Sequence, residues 1–481
     1  MPEDLIQRPA TEMVAMLKRK EVTPVEVVEA AARRIAEVEP VIHALPTLCI
    51  ERARDRARRL MDRPAEDGGV RGWLAGLPIA IKDTTDVEGV RTTYGSTIFR
   101  DHVPRRSNAL VERLEGLGGI VIGKSNTPEF GVGGNTRNKV FGPTLNPWNT
   151  ALTPGGSSGG AAAAVATGEV WLAHGTDHGG SLRRPAAYCS VVALRCSPGR
   201  VTRGAPNGLW SAQAVHGPIA RNVADLALFL DAMAGPCRHD PMTFDAPASS
   251  YSDLILRPPP AARVAFTADF NGKVPVDRET RELCACMARR FEDAGWQVEE
   301  ASPEIGDAAG AFAVLRSLSF LIDREYLLEE HRDSLGPDLL AALERGRSLT
   351  AARLSWAERE RAALYRRFQE FFETFQFLIS PAASTPPFDV DLRFPSSIDG
   401  LMLEDGSSAQ LMNAIITLSA SPCAAVPCGF DRHGRPVGLQ ITGRTRDEAG
   451  VLQAAACFEE LIGLHRLLPI DPRAGSVPAV A

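Results

Sequence analysis

Excess positive charge is missing from this chain: 53 lysines and arginines stand against 59 acidic residues, a net charge of −6. General nucleic-acid binding needs a basic footprint, so that class is excluded. The charge of a small substrate is not thereby decided, because a pocket can differ from the mean. Long apolar runs are missing too. None approaches the ~18 residues of a membrane span, and the stretch Ala161–Ala166 is broken at once by Thr167, Gly168 and Glu169. Met1-Pro2-Glu3-Asp4 lacks the basic-then-apolar order of a secretory signal. Cysteines number nine, an odd count with no CxxC pair, which argues against a disulfide framework or a thiolate metal site. The expectation is a cytoplasmic chain with reduced, buried thiols, acting away from membranes and nucleic acid. Internal repeats and a Pro-, Ser- or charge-rich linker are absent as well, so 1–481 reads as one domain carrying an insertion.

What is present is a core-forming composition, 44% hydrophobic and 23% charged. The segment 1–65 reads as N-terminal helices packed on the core. Thr23-Pro24-Val25-Glu26 is a helix start, and the apolar stripe Val27, Val28, Ala31, Ala32, Ile35 follows at helical period. Leu77–Ile81 reads as a buried strand ending at Lys82. Leu110–Gly116 reads as helix and Gly119–Gly123 as strand. This alternation predicts an α/β fold with strands covered on both faces. Over 277–375 helical signals dominate, broken by the strand-like Trp296–Glu299, and a mainly helical insertion or subdomain is expected there. Strand texture returns at Phe377–Pro381, Ala424–Pro427 and Val437–Thr442.

The chemistry concentrates in two glycine-serine clusters, Gly155-Gly156-Ser157-Ser158-Gly159-Gly160 and Gly175-Thr176-Asp177-His178-Gly179-Gly180-Ser181-Leu182-Arg183. Glycine is poor helix and strand material; runs of it serve where backbone must approach a ligand or present its N–H groups. A serine hydroxyl needs a base to become a nucleophile. The turn before Ser181 can aim successive N–H donors at one point, as an oxyanion hole requires, and Pro185 suits the first turn of a helix opening beside Ser181. Lys82, ending an apolar strand, would be desolvated; that lowers its pKa and frees the neutral amine. Ser157 could then pass a proton between Lys82 and Ser181.

Gly76–Asp83, Gly123–Phe130, Asn146–Asn149, Pro154–Gly160, Gly175–Arg183, Pro185–Cys189, Val426–Gly429 and Pro436–Gln440 together resemble the amidase signature hydrolases, in order and interval, over nearly the whole chain. The resemblance implies a large mixed β-sheet sandwiched between helices. It implies Ser181 as the acylated nucleophile, Ser157 as a bridging serine after a cis peptide, and Lys82 as general base. The oxyanion hole would be the backbone of His178, Gly179, Gly180 and Ser181. Ser158, Thr176, Asp177 and Arg183 would support the site, and Gly131 and Gly133 would line the acyl pocket. No metal and no cofactor are implied. The reaction the resemblance implies is hydrolysis of a linear carboxylic amide by water through an acyl-enzyme. Urethane, carbamate or urea hydrolysis is one alternative, and the A-type component of a glutamine amidotransferase is another. His178 stands where the family has a small or aliphatic residue, and Ser190 where it often has glycine. A homodimer is the ordinary expectation for such an enzyme.

Arg184, a second arginine beside Arg183, fits a structural ion pair or a contact to a substrate carboxylate. Pocket walls are expected from 131–135, 309–328 and 398–418, without particular residues. Two other motifs compete. Gly118–Ser125 fits the phosphate-loop pattern, but its middle is Ile-Val-Ile, strand material, and Asn126-Thr127-Pro128 follows where a helix should open. Gly155–Gly159 fits the GxSxG elbow, with a later histidine such as His433 as base; that reading leaves Lys82 and the second cluster unused. A catalytically inactive scaffold would not need Lys82, Ser157 and Ser181 intact.

Overall fold

The computed structural model describes residues 2–61, 70–204, 207–257 and 261–474. Positions 1 and 62–65 of the expected N-terminal segment lie outside them. The strands of the main sheet are β1 (Thr47–Leu48), β2 (Pro78–Lys82), β3 (Ile120–Ser125), β4 (Leu172–Asp177), β5 (Val192–Arg195), β6 (Val215–Ala220), β7 (Arg263–Phe266), β8 (Gln297–Glu300), β9 (Phe377–Pro381), β10 (Cys423–Phe430) and β11 (Pro436–Thr442). They form one 11-stranded sheet in the order β1-β3-β2-β4-β6-β5-β10-β11-β9-β7-β8. The sheet is mixed: β2 runs parallel to β3 and β4, whereas β4–β6, β6–β5, β5–β10 and β10–β11 are antiparallel. The large mixed sheet flanked by helices is the architecture expected from the motifs.

Local chemistry explains the N-terminal helices. The helix Pro24–Ile42 opens with a reciprocal capping box, Thr23 accepting from the Glu26 N–H and Glu26 from the Thr23 N–H, a device that typically contributes about 1 kcal/mol. Its stripe of Val27, Val28, Ala31, Ile35 and Val38 joins the main core. The helix Gly159–Thr167 is buried along its whole length, so its run of alanines is a close-packing element beneath the sheet rather than a membrane segment. Among the described residues no helix is long and apolar enough to cross a membrane.

The stretch 277–375 divides in two. The helix Arg278–Ala288 packs on β9, β10 and β11, and β8 is the outermost strand of the sheet, parallel to β7. The helices between Ala308 and Thr374 form a layer that meets the sheet at Ala265, Leu378 and Cys423. They pack on one another and on the helix Leu411–Leu418 around a separate apolar cluster that includes Phe312, Leu315, Leu364 and Phe368. A third cluster joins Phe320, Leu327, Leu328, Leu339 and Leu343 to Phe130 and Val132. It ties the helical layer to the loop that precedes the first glycine-serine cluster.

Candidate active site

The site lies where β2 and β4 end side by side. Lys82, the last residue of β2, is fully buried. Its Nζ stands 2.7 Å from Ser157 Oγ, 2.9 Å from Ser158 Oγ and 2.9 Å from Thr176 Oγ1. Burial pushes its pKa down to about 7, against a smaller opposing effect of the Asp177 charge. A neutral amine has two N–H donors and one lone pair. Three surrounding hydroxyls satisfy it completely if two accept and one donates, so the arrangement suits the uncharged base.

The 154–158 loop brings Ser157 to the lysine. The Gly156–Ser157 peptide is cis, in agreement with the resemblance. A Cβ on Gly156 would lie 2.9 Å from the Gly134 carbonyl carbon, so only glycine lets the two backbones pass. Ser158 is the residue before the helix Gly159–Thr167, but it makes no side-chain cap there. Its Oγ takes the Thr176 N–H (3.3 Å) and the lysine instead.

Asp177, at the end of β4, organises the second cluster. Burial alone would raise its carboxyl pKa, but the Arg183 and Arg195 charges outweigh that and hold it far below the usual range. It accepts from Arg183 Nη2 (2.9 Å), Arg195 Nη1 (3.2 Å), and the N–H groups of Gly180 and Leu182 (both 3.0 Å). Arg183 also reaches Gln440 Oε1 at 3.1 Å and the Asn413 carbonyl at 3.0 Å, pinning the helix Arg183–Cys189 to the other half of the sheet. Gly180, expected in the oxyanion hole, directs its N–H at Asp177 Oδ1 instead. What Gly180 supplies is the turn: its φ is +95°, and a Cβ there would strike Asn413 at 2.5 Å. The N–H groups of His178, Gly179 and Ser181 donate no hydrogen bond among the described residues.

Ser181 and Ser157 line one cavity of about 490 Å³, with Gly131 and Gly133 in its wall. The two serine hydroxyls are not hydrogen-bonded to each other; the segments are held together through the backbone, the Ser158 N–H donating to the Ser181 carbonyl at 3.1 Å. His178 faces the cavity. Its Nε2 pairs with Gln213 Oε1 at 3.0 Å, and its ring meets Phe312 and Phe320 edge-on. Burial, then the Arg316 charge, lowers its pKa to about 3, so it is a neutral wall residue. Arg184 is 4% exposed and faces the cavity as well. Among the described residues it forms no ion pair, only a 3.2 Å bond from Nη2 to the Ala409 carbonyl.

Several site residues carry no motif in the sequence. His174 of β4 accepts the Lys82 N–H at Nδ1 (3.4 Å), and its Nε2 pairs with Nδ1 of His216 at 3.0 Å. Burial pushes both imidazoles down, His216 to about 3. The available signal was a histidine amid strand residues. Phe320, Arg316, Arg324 and Gln410 come from the helical layer and the 398–418 segment, where no motif marks them. The competing motifs dissolve. Lys124 and Ser125 are strand residues of β3, and Lys124 is buried, donating to the Thr85 carbonyl and Thr92 Oγ1. His433 is exposed in the turn between β10 and β11 and does not line the cavity that Ser157 lines. Ser190 adopts the left-handed conformation (φ 55°), which accounts for the family's glycine at that place.

A wide mixed sheet with a buried lysine among hydroxyls at its strand ends defines a class of site suited to amide chemistry. The family model of the amidases matches residues 26–452. The chain is 36% identical to an acylamidase of Rhodococcus erythropolis over 453 residues, 94% of each chain. It is 32% identical to the A-type component of the glutamyl-tRNA(Gln) amidotransferase of Shouchella clausii (strain KSM-K16) over 490 residues, 97% of this chain and 99% of that one. A solved bacterial aryl acylamidase of the amidase signature family superposes with a TM-score of 0.86 at 29% identity, over 96% of this chain and 98% of that one. The chain therefore belongs to the amidase family, and it is an amide-hydrolysing enzyme.

Proposed function

We propose that this enzyme cleaves linear carboxylic amides through an acyl-enzyme on Ser181, with Lys82 as base and Ser157 as proton bridge. The observation that carries the reading is the 2.7 Å contact between Lys82 Nζ and Ser157 Oγ, made by a lysine whose burial leaves it half neutral near pH 7. Neutral Lys82 takes the Ser157 proton as Ser157 takes that of Ser181. Ser181 Oγ bonds to the amide carbon, and the carbonyl π pair moves to oxygen. The N–H groups of His178, Gly179 and Ser181 are the donors for that oxyanion, each typically worth about 3 kcal/mol in such a role. Collapse breaks the C–N bond, and the proton on Lys82 returns through Ser157 to the departing nitrogen. Water then enters, gives its proton to the same relay and breaks the ester, and Ser181 recovers its proton.

Asp177 and Arg183 act as positioning residues for the Ser181 turn, and Ser158 and Thr176 for the lysine. The substrate cavity is read as the space between the sheet's strand ends and the helices 308–374, within one catalytic domain. Carbamates and ureas would enter the same steps, with the leaving group deciding the outcome. A fluorophosphonate probe tests the assignment: labelling is expected at Ser181 by peptide mapping, and it should vanish in Ser181→Ala and collapse in Lys82→Ala. Labelling at Ser157 or at a cysteine would overturn it.

A further inference from the structure

A second chamber of about 300 Å³ adjoins the serine cavity, and Gly133, Arg184, Arg316 and Gln410 line both. Two guanidinium groups thus stand at the junction, beside the reacting centre. Neither has a carboxylate partner among the described residues. Arg184 is buried with one bond to a backbone carbonyl. Arg316 makes no hydrogen bond or ion pair among the described residues; it lies over the Phe320 ring at 4.9 Å. The acids of this chamber sit at its exposed rim, where Asp338 is paired with Arg393 and Asp405 accepts the Ser407 N–H. A third arginine, Arg345, lies at the same rim, without an ion pair among the described residues.

Guanidinium groups removed from water without a paired carboxylate are unfavourable; Arg184 is buried and Arg316 half-buried, and the two repel one another. An anion between them would relieve both, and the planar fork of arginine matches a carboxylate with two parallel hydrogen bonds. The remaining walls, Val132, Tyr188 and Phe388 among them, suit a short hydrocarbon chain. We infer that the second chamber is a carboxylate subsite, and that the enzyme's substrates are amides carrying a carboxylate a few bonds from the scissile carbonyl, held by Arg316 and Arg184. This inference rests on Ser181 as the acylated residue.

The test compares kcat/KM for acid and neutral isosteres on each side of the amide bond: glutaric monoamide against pentanamide, and N-acetyl-β-alanine against N-propylacetamide. The acid is expected to win on one side by about tenfold or more, as hydrogen bonds to charged groups allow. Arg316→Gln should shrink that acid-to-neutral ratio about tenfold, and Arg184→Gln, whose amide can still reach the Ala409 carbonyl, should do likewise. Equal rates for acid and neutral pairs on both sides, or variants that leave the ratio unchanged, would overturn the subsite. Calorimetric binding of glutarate to Ser181→Ala reads the chamber without chemistry: binding that weakens in the added Arg316→Gln supports the subsite, and no binding counts against it. Failure of the fluorophosphonate to label Ser181 would instead sink the acyl-enzyme reading while leaving the glutarate result to stand.

Discussion

The floor and the wall of this cavity are built on different principles. The floor is sheet: Lys82 at the end of β2, Thr176 and Asp177 at the end of β4, and the two glycine-rich turns between them. Lys82, Ser158 and Asp177 are essentially without solvent contact, and each finds hydrogen-bond partners of good geometry. The wall is helix: Arg316, Phe320 and Arg324 from Ala308–Arg324, with Gln410 from a short turn ahead of Leu411–Leu418. Arg316 and Arg324 lie over the faces of Phe320 and Phe130, and Arg324 also pairs with Asp323 at 3.8 Å. A fully satisfied polar network specifies one geometry, whereas a wall of aromatic and arginine side chains can change residue by residue without disturbing it. On the proposed mechanism, reaction type would reside in the floor and substrate choice in the wall.

The sharpest way to break that division is Lys82→Ala. Removing a general base typically costs about 10²–10⁴-fold in rate, and the loss should appear in kcat for every amide tested. One substrate still turned over at the parent rate would place the base elsewhere. Asp177→Asn follows in size. It leaves Arg183 and Arg195 buried without their counter-ion, and breaking such a pair destabilises by about 3–5 kcal/mol. Thermal unfolding should register this as a large drop in Tm, together with lost activity, because the Gly180 and Leu182 N–H groups lose their carboxylate acceptor. An unchanged melting temperature would mean that the floor is not the rigid element described.

The pH profile comes next. Lys82 is half neutral near pH 7 and the neutral form is the base in the proposed mechanism, so kcat/KM should rise tenfold per unit below that pH and flatten above it. All amides should share that limb, since it belongs to the floor. Stability has its own sign: the folded pKa lies below the ordinary 10.5, so between pH 7 and 10.5 the unfolded chain binds more protons. This lysine's contribution therefore becomes more favourable as pH rises through that window, and its full penalty is felt below pH 7. A limb that moved with the leaving group would assign it to the substrate instead. On the wall, Phe320→Ala should redistribute kcat/KM among acyl and leaving groups by about 10–200-fold, the range for apolar pocket contacts. A uniform decrease over the whole substrate panel would erase the distinction between floor and wall.

The same division governs what could be read in the sequence. Ser157 and Ser181 announce themselves because glycine is required around them: Gly156 passes against Gly134, and Gly180 holds a positive φ against Asn413; Lys82 stands out because it ends the apolar strand β2. Backbone constraints of that kind leave a pattern in one dimension. Strands β2, β3, β9, β10 and β11 were legible as short apolar runs near glycine or proline, whereas β1, β4, β5, β6 and β7 were not read as strands. The wall leaves no such pattern. Arg316 and Phe320 lie on one face of an amphipathic helix, and nothing in helical period tells a face that meets a cavity from one that meets a core. His174 was silent because its role depends on β4 lying beside β2. The engagement of Gly180 by Asp177 was hidden as well, since a run of glycines does not say which N–H turns toward the carboxylate and which toward the cavity.

The smallest expected effect tests the floor at its finest grain. Thr176→Val is close to isosteric and removes one of three hydroxyls around Lys82 Nζ. An ammonium must donate three hydrogen bonds, whereas a neutral amine donates two. Losing an acceptor therefore penalises the charged form more, and the lysine pKa should fall further. The acidic limb of kcat/KM should move to lower pH by about half a unit to one unit, within the net worth of a single hydrogen bond. Because the base would also be weaker, the plateau should drop slightly while the preference among substrates stays fixed. A limb displaced to higher pH would mean that Thr176 donates to the lysine nitrogen instead of accepting from it. The lone pair would then be shared between Thr176 and Ser157, and the proton bridge would have a competitor.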